Sequence, residues 1–195
     1  MKRVSALVIG LALVMLTAGV AGAAPRPAGN QKFVDQVIAR ALSQRGVPFT
    51  YGGGDVTGPT RGVARVLPQT TDNLLAPGAP APAGTGLALV PTATPGLTAP
   101  ASDVVGFDAS GLIVYAFAGV GVKMPRSSGD QYKVGQKVAP DQALPGDLIF
   151  YGPEGTQSVA LFVGNGQMIE ATDPAVTVSP VRTGGMTPYL VRIIA

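Results

Sequence analysis

Apolar residues between positions 31 and 45 recur at the spacing of a helix. They fill the i, i+1, i+4 and i+5 positions that turn one stripe of a helix toward a core, and they are Phe33, Val34, Val37, Ile38, Ala41 and Leu42. Asn30 is a suitable N-cap for this helix, and Gly46 followed by Pro48 is a suitable end. The pattern therefore predicts an amphipathic helix over residues 31–45.

A second apolar stripe follows Asp108 and predicts another helix. Its members are Leu112, Ile113, Ala116 and Phe117. Asp108 is a strong N-cap for this helix, and Gly119 is a suitable end. Further along the chain, Ser127 and Asp130 have the spacing of a capping box, which predicts a short helical turn from Ser127 to Tyr132.

Beyond position 146 the periodicity changes from that of helices to that of strands. Short apolar runs occur at 148–151, 159–163, 167–170, 176–181 and 189–193. Asn165-Gly166, between the second and third runs, is a strong hairpin-turn signal. Helices followed by antiparallel strands predict an α+β fold, in which N-terminal helices pack on a five- to six-stranded sheet. Phe49 to Tyr51 adds one further short strand before a run of glycines.

The stretch from about 57 to 103 has a different composition. It is dense in Pro, Ala, Gly and Thr and shows little periodicity. Proline removes backbone donors, and the segment has little apolar surface to bury in return. Residues 57–103 are therefore interpreted as an insert in a single domain spanning 24–195. We favour a flexible arm over a lid, although residues 64–67 and 87–90 are apolar enough to dock locally.

The N-terminus has the layout of a secretory signal peptide. Lys2 and Arg3 precede an apolar run over 4–20 and the small residues 21–23. A membrane anchor is the alternative, but the run is short for a span and is interrupted by Gly10 and Gly19. We expect residues 1–23 to be removed and the protein to be secreted to the periplasm or cell wall, with no membrane attachment afterwards.

Composition narrows the possible chemistry. The chain contains no cysteine and no histidine, so disulfide bonds and thiol or imidazole catalysis are excluded. Lys2 and Arg3 carry two of the three net positive charges, which leaves the mature chain near +1 without a basic cluster that would favour nucleic acid. The carboxylates form no ligand-spaced cluster, so we expect neither a metal nor a cofactor.

Five motifs identify a family resemblance. They are GVPFTYGG at 46–53, FDASGL at 107–112, PRSS at 125–128, LPGDLIF at 144–150 and SVALFVGNG at 158–166. In this order they resemble the NlpC-type peptidoglycan endopeptidases, and most closely the non-catalytic mycobacterial RipD-like branch. The resemblance covers nearly all of the mature chain outside the insert, and it implies a small papain-like fold.

The resemblance also implies a degenerate catalytic triad. In active members a cysteine begins a helix, where amide donors and the helix dipole stabilise its thiolate. A histidine at the start of a strand takes the proton, and a third polar residue orients the imidazole. These positions correspond to Ala109, Ser158 and Glu170 here. Phe49 stands where the family has a tyrosine beside the nucleophile.

Five residues are candidates for ligand binding, and each has a structural alternative. Asp108 and Ser110 could instead only cap a helix, and Arg126 could belong to a turn near the cleft rim. Ser158 is expected to fill the histidine's place with a small group and widen the pocket. Glu170 could be a solvated strand residue, which we favour slightly because no imidazole needs orienting.

Three functions fit these residues. A monomeric pseudoenzyme that binds peptidoglycan explains why the motifs persist around a missing nucleophile. An interaction protein that regulates active cell-wall hydrolases is an alternative. A hydrolase with Ser110 or Ser158 as substitute nucleophile would need a lysine, and Lys123, Lys133 and Lys137 stand in no recognisable Ser-Lys motif.

Overall fold

The computed structural model describes residues 27–66 and 98–195. The predicted signal peptide and residues 67–97 of the predicted insert lie outside this part of the chain. The helices are α1 (Ala28–Leu42), α2 (Ala109–Ala118) and α3 (Ser128–Lys133), with single 3-10 turns at Pro140–Gln142 and Pro153–Gly155. The strands are β1 (Thr60–Arg61), β2 (Arg65–Val66), β3 (Thr98–Ala99), β4 (Val105–Gly106), β5 (Gln136–Val138), β6 (Leu148–Tyr151), β7 (Ser158–Gly164), β8 (Gln167–Thr172), β9 (Ala175–Pro180) and β10 (Leu190–Arg192).

A six-stranded antiparallel sheet forms the centre of the fold. Its strand order is β5-β10-β6-β7-β8-β9, so consecutive strands from β6 to β9 are neighbours. The β7–β8 hairpin turns at Asn165 and Gly166, whose φ angles of 52° and 67° are those of a type I′ turn. The predicted α+β class and the hairpin are both confirmed. Strand β5 was not predicted, because three residues at the edge of the sheet carry too little periodicity.

The sheet buries both of its faces. On one face, alternate residues such as Leu161 and Ile169 pack beneath α2, and Val37 and Ala41 of α1 extend the same cluster. On the other face a smaller cluster contains Ile149, Tyr151, Ala160 and Met168. Helix α2 is buried along most of its length, and this packing fixes the position of its N-terminus relative to β7.

Helix α1 begins earlier than the sequence predicted. Pro27 precedes it, and the Pro27 carbonyl accepts hydrogen bonds from the backbone N–H groups of Asn30 and Gln31 at 2.9 and 3.1 Å. Asn30 is therefore inside the helix, and its assignment as N-cap is wrong. The helix ends at Leu42, and the following turn closes at Gly46, whose φ of 84° suits glycine.

Both ends of the predicted insert have a defined backbone. Strand β1 pairs with β4, and β2 pairs with β3, so the chain leaves and re-enters the domain through two short antiparallel ladders. The expectation of a flexible arm is therefore wrong for 57–66 and 98–103. The predicted strand at 49–51 is reduced to isolated bridges from Pro48 to Ala175 and from Phe49 to Phe107.

Candidate functional site

A cleft of about 600 Å³ lies where α2, β7 and the 49–52 turn meet. The N-terminus of α2 forms its floor, and the start of β7 and the end of β8 form one wall. Its lining residues are Phe49, Tyr51, Gly52, Val63, Asp108, Ala109, Ser110, Arg126, Ser127, Ser128, Thr156, Gln157, Ser158, Ala171 and Thr172. Val63 comes from the predicted insert, so that segment contributes to the cleft wall.

Asp108 joins the cap of α2 to the neighbouring turn. One carboxylate oxygen accepts a hydrogen bond from the Gly111 N–H at 2.6 Å, as expected of an N-cap. The other oxygen accepts from the Gly52 N–H at 3.0 Å, and the Asp108 N–H donates to the Gly53 carbonyl at 3.0 Å. The predicted capping role of Asp108 is confirmed, and the cap also fixes Ala109 in the first turn facing the cleft.

Arg126 reaches across the cleft floor to this same cap. Its two terminal nitrogens donate to the two Asp108 carboxylate oxygens, each at 2.9 Å. They also donate to Ser110 Oγ at 2.8 Å and to the Gly53 carbonyl at 3.0 Å. Such a bidentate pair is well suited to hold two segments in register. Arg126 therefore stabilises the N-cap of α2 and is more than a residue of a turn.

Ala109 and Ser158 face the same cleft from different elements. Ala109 is the first residue of α2, and Ser158 is the first residue of β7. Both line the cleft, and Phe49 lines it beside them. These two positions are 49 apart in the chain, and the fold brings them to one cleft.

Glu170 is buried and ion-paired, so its interpretation as a solvated strand residue is wrong. Its side chain is 3% exposed, and it accepts hydrogen bonds from both terminal nitrogens of Arg182 and, at 2.6 Å, from Ser179 Oγ. Burial alone raises the pKa of Glu170, but the hydrogen bonds from Arg182 and Ser179 outweigh burial and hold that pKa below its usual value. The carboxylate is therefore charged and fully engaged at neutral pH.

Arg182 completes a cluster on the sheet face opposite α2. Its guanidinium carbon lies 4.9 Å from the centre of the Tyr151 ring, and the Tyr151 hydroxyl donates to the Arg182 carbonyl at 3.1 Å. Glu170 alternates with Ile169 and Ala171, which pack toward α2, and it shares its face with Met168. The cleft wall on β8 consists of Ala171 and Thr172, and Glu170 stands outside the lining.

Comparison with known proteins shows which family this chain belongs to. The sequence profile of the NlpC/P60 family matches residues 93–195. The chain belongs to the NlpC/P60 family. The resemblance stated from the five motifs is therefore confirmed, and so is the papain-like α+β fold.

Mycobacterial NlpC/P60 proteins are among its relatives. The chain is 45% identical over 181 residues to the peptidoglycan endopeptidase RipB of Mycobacterium tuberculosis, a match covering 91% of this chain and 61% of RipB. The structure of RipD from the same organism, described as a non-catalytic NlpC/p60 domain protein adapted to peptidoglycan binding, is 56% identical with a TM-score of 0.61, over 83% of this chain and 97% of RipD. The P60 domain of a Mycobacterium avium paratuberculosis antigen is 52% identical with a TM-score of 0.63, over 84% and 95% of the two chains.

Within this NlpC/P60 domain, four of the five candidate ligand residues share the cleft. Asp108, Ser110, Arg126 and Ser158 line it, whereas Glu170 lies behind its wall. Sequence reasoning missed Arg182 and Ser179, because neither falls in a motif and their contacts to Glu170 depend on the strand register. A buried glutamate generally needs a cation, and that rule was the available signal for Arg182.

The described residues offer no evident place for a metal ion. Within 27–66 and 98–195, no group of three or more acidic, cysteine or histidine residues is arranged to hold one. The helices in these ranges all lack the length and the apolar character of a membrane-spanning segment.

Proposed function

We propose that this NlpC/P60 domain binds peptidoglycan without hydrolysing it. The observation that carries the proposal is that Ala109 and Ser158 line one cleft. The motif resemblance assigns these two positions to the cysteine and histidine of active family members. The entire chain contains neither residue type. Loss of a nucleophile or its base in a comparable triad lowers kcat by about a millionfold.

A substitute serine nucleophile has little support. Ser110 Oγ donates to Asp108 at 3.1 Å and accepts from Arg126 at 2.8 Å, and a guanidinium cannot remove its proton. The Asp108 carboxylate accepts hydrogen bonds from Arg126 and from the Gly111 N–H. Among the described residues, no lysine lines the cleft, so neither Ser110 nor Ser158 has the lysine that a Ser-Lys mechanism needs.

The intact cleft supports a binding role. Its capping contacts and the Asp108–Arg126 pair keep the floor ordered, and its volume of about 600 Å³ is in the range of small-molecule and peptide sites. RipD, at 56% identity, is described as adapted to peptidoglycan binding without catalysis. A single site of this size is expected to bind with a Kd between about 1 µM and 1 mM.

Export to the wall is part of the same proposal. The signal-peptide pattern over residues 1–23 would deliver the domain to the periplasm or cell wall, where peptidoglycan is found. The mature protein is proposed to act as a monomer. Intact mass measurement of the protein recovered from culture supernatant or wall fractions tests the cleavage near Ala23.

Co-sedimentation with insoluble peptidoglycan, using cleft variants, tests binding at this site. Ser158→Phe fills the cleft with a ring and should reduce the pelleted fraction several-fold, because the ligand loses its space. Thr177→Phe is the matched control, since Thr177 is exposed on β9 away from the cleft and should pellet like the wild type.

Two outcomes contradict the binding proposal. One is a wild-type protein that remains in the supernatant at every wall concentration. The other is a Ser158→Phe variant that pellets as well as the control. A protein that does not bind insoluble peptidoglycan but is captured by active hydrolases would support the alternative role as a regulator of those enzymes.

A further inference from the structure

The described lining of the cleft has its positive charge already paired. Arg126 is the cation in that lining, and its terminal nitrogens bind Asp108, Ser110 and the Gly53 carbonyl. An anionic ligand that sought this guanidinium would have to compete with a bidentate carboxylate of the protein itself. The pair Asp108–Arg126 therefore presents no net charge to a ligand.

The N-terminus of α2 already has a carboxylate of the protein bound to it. A helix N-terminus normally attracts anions, because its amide groups carry partial positive charge. Here the Asp108 carboxylate accepts from the Gly111 N–H at 2.6 Å and so occupies that position. The Gly111 N–H of this helix end is therefore already occupied and is not open to an anionic ligand.

One further acidic residue, Asp55, lies near Arg126 of the cleft. Asp55, on the exposed loop before β1, lies close enough to Arg126 for the guanidinium to contribute to lowering its pKa, after the larger effects of its hydrogen bonds to Thr57. The sequence from 67 to 97 contains Asp72 and no lysine or arginine. That segment cannot supply a cation to the cleft, wherever it lies.

Uncharged groups make up the rest of the described lining. Gln157, Ser158 and Thr172 supply hydroxyl and amide groups, and Phe49, Val63 and Ala171 supply apolar surface. Such groups can donate to and accept from a carboxamide. They offer a carboxylate only neutral partners, which leaves much of the cost of removing its hydration uncompensated.

From these observations we propose that the cleft selects peptidoglycan stem peptides whose carboxyl groups are carboxamides over stems with free carboxylates. The inference rests on the proposed binding function and specifies its ligand. Recognition depends on the absence of charge on the ligand. A carboxamide keeps the planar shape of the carboxylate, exchanges one acceptor oxygen for an NH2 donor, and loses the charge that this site cannot pair.

Two synthetic stem peptides provide the direct test. They share one sequence, and the side carboxyl groups of the glutamate and the diamino acid are free in one and carboxamides in the other. Calorimetric titration of the mature protein at low ionic strength should give a Kd about tenfold lower for the amidated peptide, the discrimination expected of one unpaired polar group. Equal affinities, or tighter binding of the carboxylate form, would overturn the inference.

A positive charge placed in the cleft should remove the preference for the amidated peptide. Thr172 is exposed at the end of β8 and lines the cleft, so Thr172→Lys adds an ammonium group beside the ligand. This variant should bind the carboxylate peptide more tightly than the wild type does, by about tenfold, and the gain should shrink in high salt. Thr177→Lys is the matched control on β9, outside the cleft, and should leave both affinities unchanged.

Sedimentation separates failure of this inference from failure of the binding proposal. A protein that does not pellet with the insoluble wall contradicts the binding function itself. A protein that pellets but shows no preference between the peptides contradicts only the selectivity. Pelleting without affinity for either peptide also overturns the inference, because the stem would then not be the bound part.

Discussion

Glu170 shows how one buried charge is stabilised in this domain. The carboxylate is 3% exposed on its side chain, whereas its partner Arg182 is half exposed. Ser179 Oγ also donates a hydrogen bond to the Glu170 carboxylate at 2.6 Å. Because the glutamate is buried and its partner is anchored over Tyr151, removal of either charge leaves the other without its main contact.

Glu170→Gln should lower the free energy of unfolding at pH 7 by about 1–3 kcal/mol, because the buried pair loses its charge on one side. The lowered pKa of Glu170 also sets a pH dependence. Its stabilising contribution is present above the ordinary value of 4.5 and is lost as the pH falls through the folded-state pKa. In urea unfolding experiments between pH 7 and pH 3, the free energy of unfolding should therefore fall more steeply with decreasing pH for the wild type than for the variant. Exposed Glu154→Gln is the control and should change stability little.

Ala109→Cys combined with Ser158→His tests whether a side chain at position 158 can act as the base for a nucleophile at position 109. A thiol at the start of α2 facing an imidazole should alkylate with iodoacetamide faster at pH 6 than the thiol of Ala109→Cys alone. Peptidase activity should stay absent, because Glu170 is bound to Arg182 and Ser179 and is not available to orient the new imidazole. Equal alkylation rates in the two variants would mean that the sites do not correspond to a nucleophile and its base.

Helix α2 depends on a close approach to the turn before the insert. A Cβ added at Gly111 would meet the Gly53 carbonyl oxygen at 2.1 Å, so the helix or the turn would have to move. Gly111→Ala should therefore lower the free energy of unfolding by about 1–3 kcal/mol and weaken wall binding, because the same contact shapes the cleft floor. Gly29→Ala in α1 is the matched control, since its Cβ would meet nothing within 4 Å. A stable Gly111→Ala variant with unchanged binding would contradict this packing.

The ladders at the insert allow a sharp excision experiment. Val66 of β2 is directly paired with Thr98 of β3, so residues 67–97 can be replaced by the two-residue turn Asn-Gly. The melting temperature should change by less than about 5 °C, because a Pro-, Ala- and Gly-rich segment buries little surface. A larger fall would show that the excised residues pack on the domain, and tighter wall binding by the shortened protein would show that they act as a lid.

Local signals explain which elements were predictable. Asp108 and the stripe after it predicted α2 because capping and periodicity act within one turn of the chain. Asn165-Gly166 predicted the hairpin for the same reason. The predicted start of α1 was wrong because Pro27 and Asn30 are both compatible with the N-terminus of a helix. The hydrogen bonds to the Pro27 carbonyl show that the helix begins after Pro27. Strand β5 was missed because its pairing to β10 is a long-range contact.

At the scale of the whole molecule, only those parts of the site that lie within the five sequence motifs could be predicted. The order of motifs placed Ala109 and Ser158 together because a family fold fixes which segments meet. The partners of the charged residues were not predictable in this way. Arg126 with Asp108, and Arg182 with Glu170, join segments 18 and 12 residues apart through tertiary packing, which leaves no periodic signal in the sequence.

The central proposal is that this domain keeps the family fold without the family's nucleophile. The cleft, the capped helix and the paired charges are all present, and the chain has no cysteine or histidine to use them for catalysis. The account is tested most directly by one measurement on the mature protein. Purified protein is incubated with insoluble peptidoglycan and centrifuged, and each tube is assayed for pelleted protein and for released fragments by mass spectrometry, with an active NlpC/P60 endopeptidase in parallel. We predict saturable pelleting with no fragments above the buffer control. Released stem fragments that increase with protein concentration would contradict the account.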